Sequence, residues 1–186
     1  METSTKELVN GIDTAGLREA IDAIAADPAK GGAGFRVRTT WKGGTRSETT
    51  AEKVTLGGEV IPRSFRFTAD EPLQLFGTDT AANPQEYLMG ALAACMTVGW
   101  VANAALRGIR LQSLEIETEG QLDLRGFLGI DKRVAPAYET LRYRVRVKGD
   151  ATREQFAEIH DAVRATSPNY FNLSRPIVLE GEMVVG

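Results

Sequence analysis

A single thiol and a single imidazole limit the chemistry this sequence can do. Cys95 is the only cysteine and His160 the only histidine. That excludes an internal disulfide, every multi-cysteine metal site and any histidine cluster. A lone thiol becomes a nucleophile or a redox centre when a nearby cation favours the thiolate. It can equally be a small buried hydrophobe, the commoner role of a free cysteine. His160 falls on the apolar stripe of a helix and reads as a core-edge residue.

Cys95 sits in the longest apolar run, Asn83 to Gly108, NPQEYLMGALAACMTVGWVANAALRG. Asn83 is a good N-cap, Pro84 fits the first helical position and Gly108 follows Arg107 as a C-cap, so the run reads as one helix. Glu86 in the first turn and Arg107 in the last suit the macrodipole. The roughly twenty uncharged residues between them would reach across a bilayer. Their Ala and Gly content, Thr97, Asn103 and a chain-wide mean hydropathy of -0.20 argue against a membrane span. A helix apolar all round is expected to be buried all round, so other elements or a second subunit must wrap it.

The elements around this helix follow from periodicity. Thr14 to Ala26 places Leu17, Ile21 and Ile24 on one helical face and ends at Asp27-Pro28, while KGGAG at Lys30 to Gly34 reads as a flexible joint. Phe35, Val37, Thr39 and Trp41 alternate with polar neighbours as in a half-buried strand. Gly43-Gly44 turns the chain into a second strand, Arg46 to Val54, and Gly57-Gly58 into a third that includes Phe65 and Phe67. Asp70, Glu71 and Pro72 close this antiparallel meander, and LQLFGTDTAANP leads to the long helix. Neither glycine pair has the spacing of a phosphate-binding loop.

Beyond Gly108, Glu115, Glu117 and Glu119 form one face of a strand, and Arg142, Arg144, Arg146 and Lys148 form one face of the next. Antiparallel pairing would set acid against base, each pair contributing roughly 0.2 to 1 kcal/mol. Asp150 to Thr166 is a helix with a Thr152/Gln155 capping box and a stripe of Phe156, Ile159, His160 and Val163. It ends at Ser167-Pro168, and a last strand is expected over Ile177 to Val185. Strands, long helix, strands, helix, strand without βαβ alternation make an α+β fold, antiparallel sheets around a long central helix. Residues 1-33 read as a helical extension and 34-186 as the main domain.

The chain has 186 residues, 42% hydrophobic and 25% charged, with a net charge of -3 and a pI near 5.4. It is globular, with no basic block for nucleic acid. The N-terminus lacks the basic and apolar segments of a signal peptide, so the expected compartment is cytoplasmic.

Asn83-Pro84-Gln85-Glu86, then Ala93-Ala94-Cys95, a strand pair, a second helix and Ser167-Pro168, with the loop RGFLGID, resembles the OsmC/Ohr family over roughly Phe35 to Val185. The resemblance implies an intertwined homodimer with active sites at the subunit interface, and no metal or cofactor. Active members are thiol-dependent hydroperoxide reductases; others on this fold have no known role. A first cysteine, matching Cys95, attacks the O–O bond as thiolate and becomes a sulfenic acid. A second, before a proline after the second helix, closes a disulfide that an external dithiol reduces.

The position matching that second cysteine is Ser167. A hydroxyl cannot form a disulfide, so the resemblance implies a one-cysteine cycle that needs an external thiol as reductant. The family's catalytic glutamate directly follows Asn-Pro, where this chain has Gln85, with Glu86 one step later. On a straight helix Glu86 lies about 180° around the axis from Cys95, and Gln85 about 15 Å along it. The activating arginine belongs to the N-terminal hairpin; Arg46 is the match, offset by one residue, with Arg63 and Arg66 as rivals. The expected function is reduction of small organic hydroperoxides by Cys95, Arg46, Gln85 and Glu86. The alternatives are a non-catalytic protein that binds a small apolar ligand or senses redox state through Cys95, and a structural module with neither.

Overall fold

The computed structural model describes residues 8–186. Contacts divide the chain into two compact units, one ending at Leu88 and the other starting at Met89.

The first unit opens with a two-stranded hairpin, β1 (Leu8–Val9) and β2 (Ile12–Asp13). Helix α1 spans Thr14–Ala26, where the apolar periodicity places it, and the Asp13 carboxylate caps it by accepting from the Gly16 amide. Lys30 to Gly34 is not a loose joint. Pro28–Gly31 forms a 3₁₀ turn capped by Asp27, and Ala33 already belongs to β3 (Ala33–Trp41). Strands β4 (Ser47–Leu56) and β5 (Glu59–Ala69) follow, giving an antiparallel sheet in the order β3-β4-β5. All four turn glycines, Gly43, Gly44, Gly57 and Gly58, have positive φ, the conformation that a side chain resists and a tight hairpin needs.

One expectation for this sheet fails. Phe35, Val37 and Trp41 alternate as a half-buried strand should, yet every residue of β3 is exposed, Phe35 at 78% and Trp41 at 74%. Alternation says which face is fit for burial; covering that face takes a second layer.

Helix α2 (Pro84–Leu106) carries the thiol. Its C-terminal cap follows from Gly108 at φ 72: the Ile109 amide donates to the Ala104 carbonyl and the Gly108 amide to that of Ala105, a Schellman arrangement. By length and composition α2 could cross a bilayer. Within a single chain the helix is buried along one side. Leu92, Met96, Trp100 and Ala104, spaced by one turn, are buried with Ala105, while Val98 is 69% exposed. One stripe finds its partners within the second unit.

Strands β6 (Leu111–Gly120) and β7 (Leu141–Gly149) pair antiparallel, joined through the short helix α3 (Leu124–Phe127) and the loop after it. The register sets Glu115 against Arg146, Glu117 against Arg144 and Glu119 against Arg142, so the acidic and basic rows meet as expected. On the other face Leu114, Ile116, Tyr143, Val145 and Val147 pack against the α2 stripe, together with Ile159 and Val163 of helix α4 (Arg153–Thr166), which begins with the expected Thr152/Gln155 capping box. A further short helix, α5 (Pro168–Ser174), starts at once, with Ser167 as N-cap and Pro168 in its first turn. The expected last strand is absent: residues 176–186 have no regular structure, and Val178, Leu179, Met183, Val184 and Val185 are exposed. A strand exists only by pairing, and among the described residues this segment has no partner strand.

The packing of α2 on α4 turns on Gly99. A Cβ there would come within 3.3 Å of Val163 Cγ2, which explains a glycine in mid-helix despite a helix penalty of about 1 kcal/mol relative to alanine. Replacing it with leucine overpacks this contact; Gly99→Leu should lower stability by about 1 to 3 kcal/mol, measured by urea denaturation.

Candidate active site

Cys95 is a free, half-buried thiol. The α2–α4 contact places Ser167 beside it, and the Ser167 hydroxyl donates to Cys95 Sγ at 3.3 Å. Gly99 and Val163 touch one turn further along each helix, so the two contacts belong to one antiparallel packing edge. Ser167 is buried, at 5% exposure, and held on each side. Its amide donates to the Val163 carbonyl at the end of α4, and its Oγ accepts from the Tyr170 amide at the start of α5. One residue on, Asn169 Nδ2 donates to the Ala91 carbonyl on α2 at 2.9 Å, tying the α4–α5 junction to the turn that precedes the thiol.

Around this pair runs a chain of aromatic and polar side chains. His160 Nε2 lies 2.9 Å from the Tyr143 hydroxyl and its ring stacks on Trp100 at 6.1 Å. Tyr143 meets Tyr170 edge-on at 6.2 Å, and Arg164 Nε donates to the Tyr170 hydroxyl at 3.2 Å. Burial raises the Tyr143 phenol above its usual pKa, and the neighbouring Tyr170 adds to the effect. The Tyr170 hydrogen bond raises that of Arg164. Sequence reading passed over Arg164, Asn169 and Tyr170. The available signal was Ser167-Pro168, which reads as an N-cap and first residue of a helix as readily as it reads as a stop.

The remaining residues singled out by sequence belong to the first unit. Arg46 closes the Gly43-Gly44 turn: its amide donates to the Gly43 carbonyl and its own carbonyl accepts from Lys42. Its exposed guanidinium donates to the Lys42 carbonyl at 3.4 Å. Of the rivals, Arg63 lies over the Phe65 ring at 4.7 Å; Arg66 sits on β5 opposite Thr50. Glu86 is occupied at the start of α2, where its carboxylate accepts from the Asn83 amide at 2.7 Å and the Asn83 side chain accepts from the Glu86 amide at 2.9 Å. That is a reciprocal capping box. Gln85, in the same turn, is half-buried. Among the described residues no three His, Cys, Asp or Glu side chains gather where they could hold a metal.

Asp70, which by sequence pattern closes the meander, organises this unit. Its Oδ1 accepts from the Thr45 hydroxyl at 2.6 Å and the Glu71 amide. Its Oδ2 accepts from the amides and hydroxyls of both Thr78 and Thr80. The carboxylate is 1% exposed. Thr45 precedes Arg46, and the 78–80 loop leads to Asn83, so one buried carboxylate ties the Arg46 hairpin to the approach of α2. The loop closes tightly, since a Cβ at Gly77 would lie 1.7 Å from the Glu71 carbonyl oxygen.

This α+β arrangement with a long helix recurs in known proteins. The OsmC-like protein family model matches residues 77–182, more than half of the chain. The protein therefore belongs to the OsmC-like family. Its fold is similar to that of an OsmC-like protein from Mycoplasma pneumoniae, at 18% identity, TM-score 0.52, with 73% of this chain and 89% of that one covered. It is also similar to a Psychrobacter arcticus 273-4 protein assigned to osmotic stress induction and detoxification response, at 13% identity, TM-score 0.57, covering 73% and 85%. No curated protein matches the sequence.

The Asp70 carboxylate is held well below the usual range by the Thr45 hydroxyl first, then that of Thr78, with the Thr80 and Glu71 amides adding and burial opposing. Its folded pKa is thus below the unfolded value of 3.8. The stability it contributes is fully present above that value and lost as the pH falls through the folded one. Asp70→Asn should lower stability at about pH 7, and the deficit should shrink at about pH 3. Urea titrations of both proteins at the two pH values measure the difference.

Proposed function

We propose that this protein reduces small organic hydroperoxides, with Cys95 as the peroxidatic nucleophile and an external thiol as reductant. The observation that carries the proposal is the Ser167 hydroxyl 3.3 Å from Cys95 Sγ. The residue matching the family's resolving position reaches the thiol, and it is not a thiol itself. Cys95 is also only half-buried, and its sulfur already has a polar neighbour.

In the proposed cycle the Cys95 thiolate attacks one oxygen of ROOH. The O–O bond breaks, the leaving alkoxide takes a proton to become ROH, and the sulfur keeps one oxygen as sulfenic acid. A thiol R′SH then condenses with it, releasing water and leaving a mixed disulfide. A second R′SH attacks that disulfide, regenerates the Cys95 thiol and leaves as R′SSR′.

Arg46 is assigned the task of favouring the thiolate by charge, with Gln85 holding its guanidinium. Glu86 is the weaker candidate for that task because its carboxylate already accepts from the Asn83 amide. The proposed assembly is a homodimer in which a second copy covers the exposed apolar side chains of β3 and the Val98 face of α2, with residues 1-33 as an extension to the 34-186 domain.

Cumene hydroperoxide consumption in the presence of a monothiol tests the proposal. The expected outcome is turnover that saturates with monothiol and disappears in Cys95→Ser. Loss of peroxide no faster than in Cys95→Ser would remove the enzymatic reading. One oxidation per protein without turnover would support redox sensing through Cys95 instead.

A further inference from the structure

We infer that Ser167 is a catalytic residue in its own right, a fixed hydrogen-bond donor to the reacting sulfur, and not merely the remnant of a lost thiol. The inference rests on the reading of Cys95 as the working nucleophile. It starts from the directionality of one hydroxyl. Ser167 Oγ accepts from the Tyr170 amide, so one lone pair is committed to the α5 cap. Among the described residues the acceptor within reach of its proton is Cys95 Sγ. A serine with its backbone amide on Val163, its oxygen on Tyr170 and its burial at 5% exposure has little freedom to turn that proton elsewhere.

A donor aimed at sulfur favours the charged form of the thiol over the neutral one, since a hydrogen bond to an anion is stronger than one to a neutral group. After the peroxide step the same hydroxyl remains beside the sulfenic acid. It cannot condense with it, so the oxidised sulfur stays open to the external thiol. Serine at this position therefore has two consequences: it assists thiolate formation, as a cation would, and it assigns the resolving step to a second molecule. The ionisable groups on these elements include His160, Asp161 and Arg164 on α4, Tyr170 on α5 and Tyr143 on β7.

The test is the alkylation rate of Cys95 by iodoacetamide in the full chain, measured from neutral to alkaline pH. Ser167→Ala should react about tenfold more slowly than the parent near pH 7 and at a matching rate at high pH, the signature of a shift of about one unit in the pH profile. Ser167→Asp caps α5 as well as serine does but places a carboxylate in place of the donor, so it should be slower still near pH 7. Ser167→Thr keeps both functions and should follow the parent. Because that carboxylate opposes the thiolate whatever the serine does, Ser167→Asp serves only as a charge control, and a folded Ser167→Ala with an unchanged profile overturns the inference. The outcome is separable from that of the hydroperoxide assay. Peroxide turnover with an unchanged Ser167→Ala profile leaves the enzyme standing without the donor. The expected profile without turnover leaves the donor acting on a thiol employed for something else.

Discussion

The contact between Gly99 and Val163 is the constraint on which the thiol site depends. A glycine in mid-helix lets α4 approach α2 to a distance that a side chain would contest. One turn away on the same edge, that approach brings the hydroxyl of Ser167 to the sulfur of Cys95. Nothing local could produce this pairing, because the two residues lie 72 positions apart in the chain. The stripe of Leu92, Met96, Trp100 and Ala104 supplies the apolar burial that holds the helices together, against Ile159, Val163 and the inner face of β6 and β7. Asn169 then fixes the α4–α5 junction to α2 by its bond to the Ala91 carbonyl, so the serine is positioned from both sides.

The first unit is built around a different interaction, one carboxylate surrounded by hydroxyl and amide donors. Asp70 gathers the Thr45 hairpin and the Thr78–Thr80 loop, and a buried charge so fully hydrogen-bonded fixes its neighbours firmly because any departure leaves it unsatisfied. Arg46 follows Thr45 directly, and the capping box of Asn83 and Glu86 begins three residues after Thr80. The residues that the family resemblance singles out in this half thus stand on a common anchor. Their own exposure does not weaken that, since the anchor and not the guanidinium is what is buried.

Much of this was legible in sequence where the determinant is local. The ends of α1, the Thr152/Gln155 capping box, the glycine turns of the β3-β4-β5 meander and the Gly108 cap each depend on a few adjacent residues, and each is found where the pattern places it. The acid and base rows of β6 and β7 meet because period-two alternation puts the glutamates of one strand and the arginines of the other on the same face of the sheet. What sequence could not show depends on what a segment packs against. The alternation of β3 is real, but its exposure depends on a covering layer. The apolar surface of α2 is real, but only one stripe of it is matched within the chain. Ile177 to Val185 has the pattern of a strand and, among the described residues, no partner strand. Asp70 reads as a terminator because its donors come from 25 residues before it and 8 to 10 after it.

The central claim is that Cys95 is a working thiol whose oxidised form has no internal partner. Its most direct test is the mass of the intact protein after one equivalent of cumene hydroperoxide, with dimedone present to trap sulfenic acid. The account predicts one dimedone adduct per chain, located at Cys95 and absent from Cys95→Ser. An unmodified chain, with the thiol still titratable after the peroxide has been added, would contradict it.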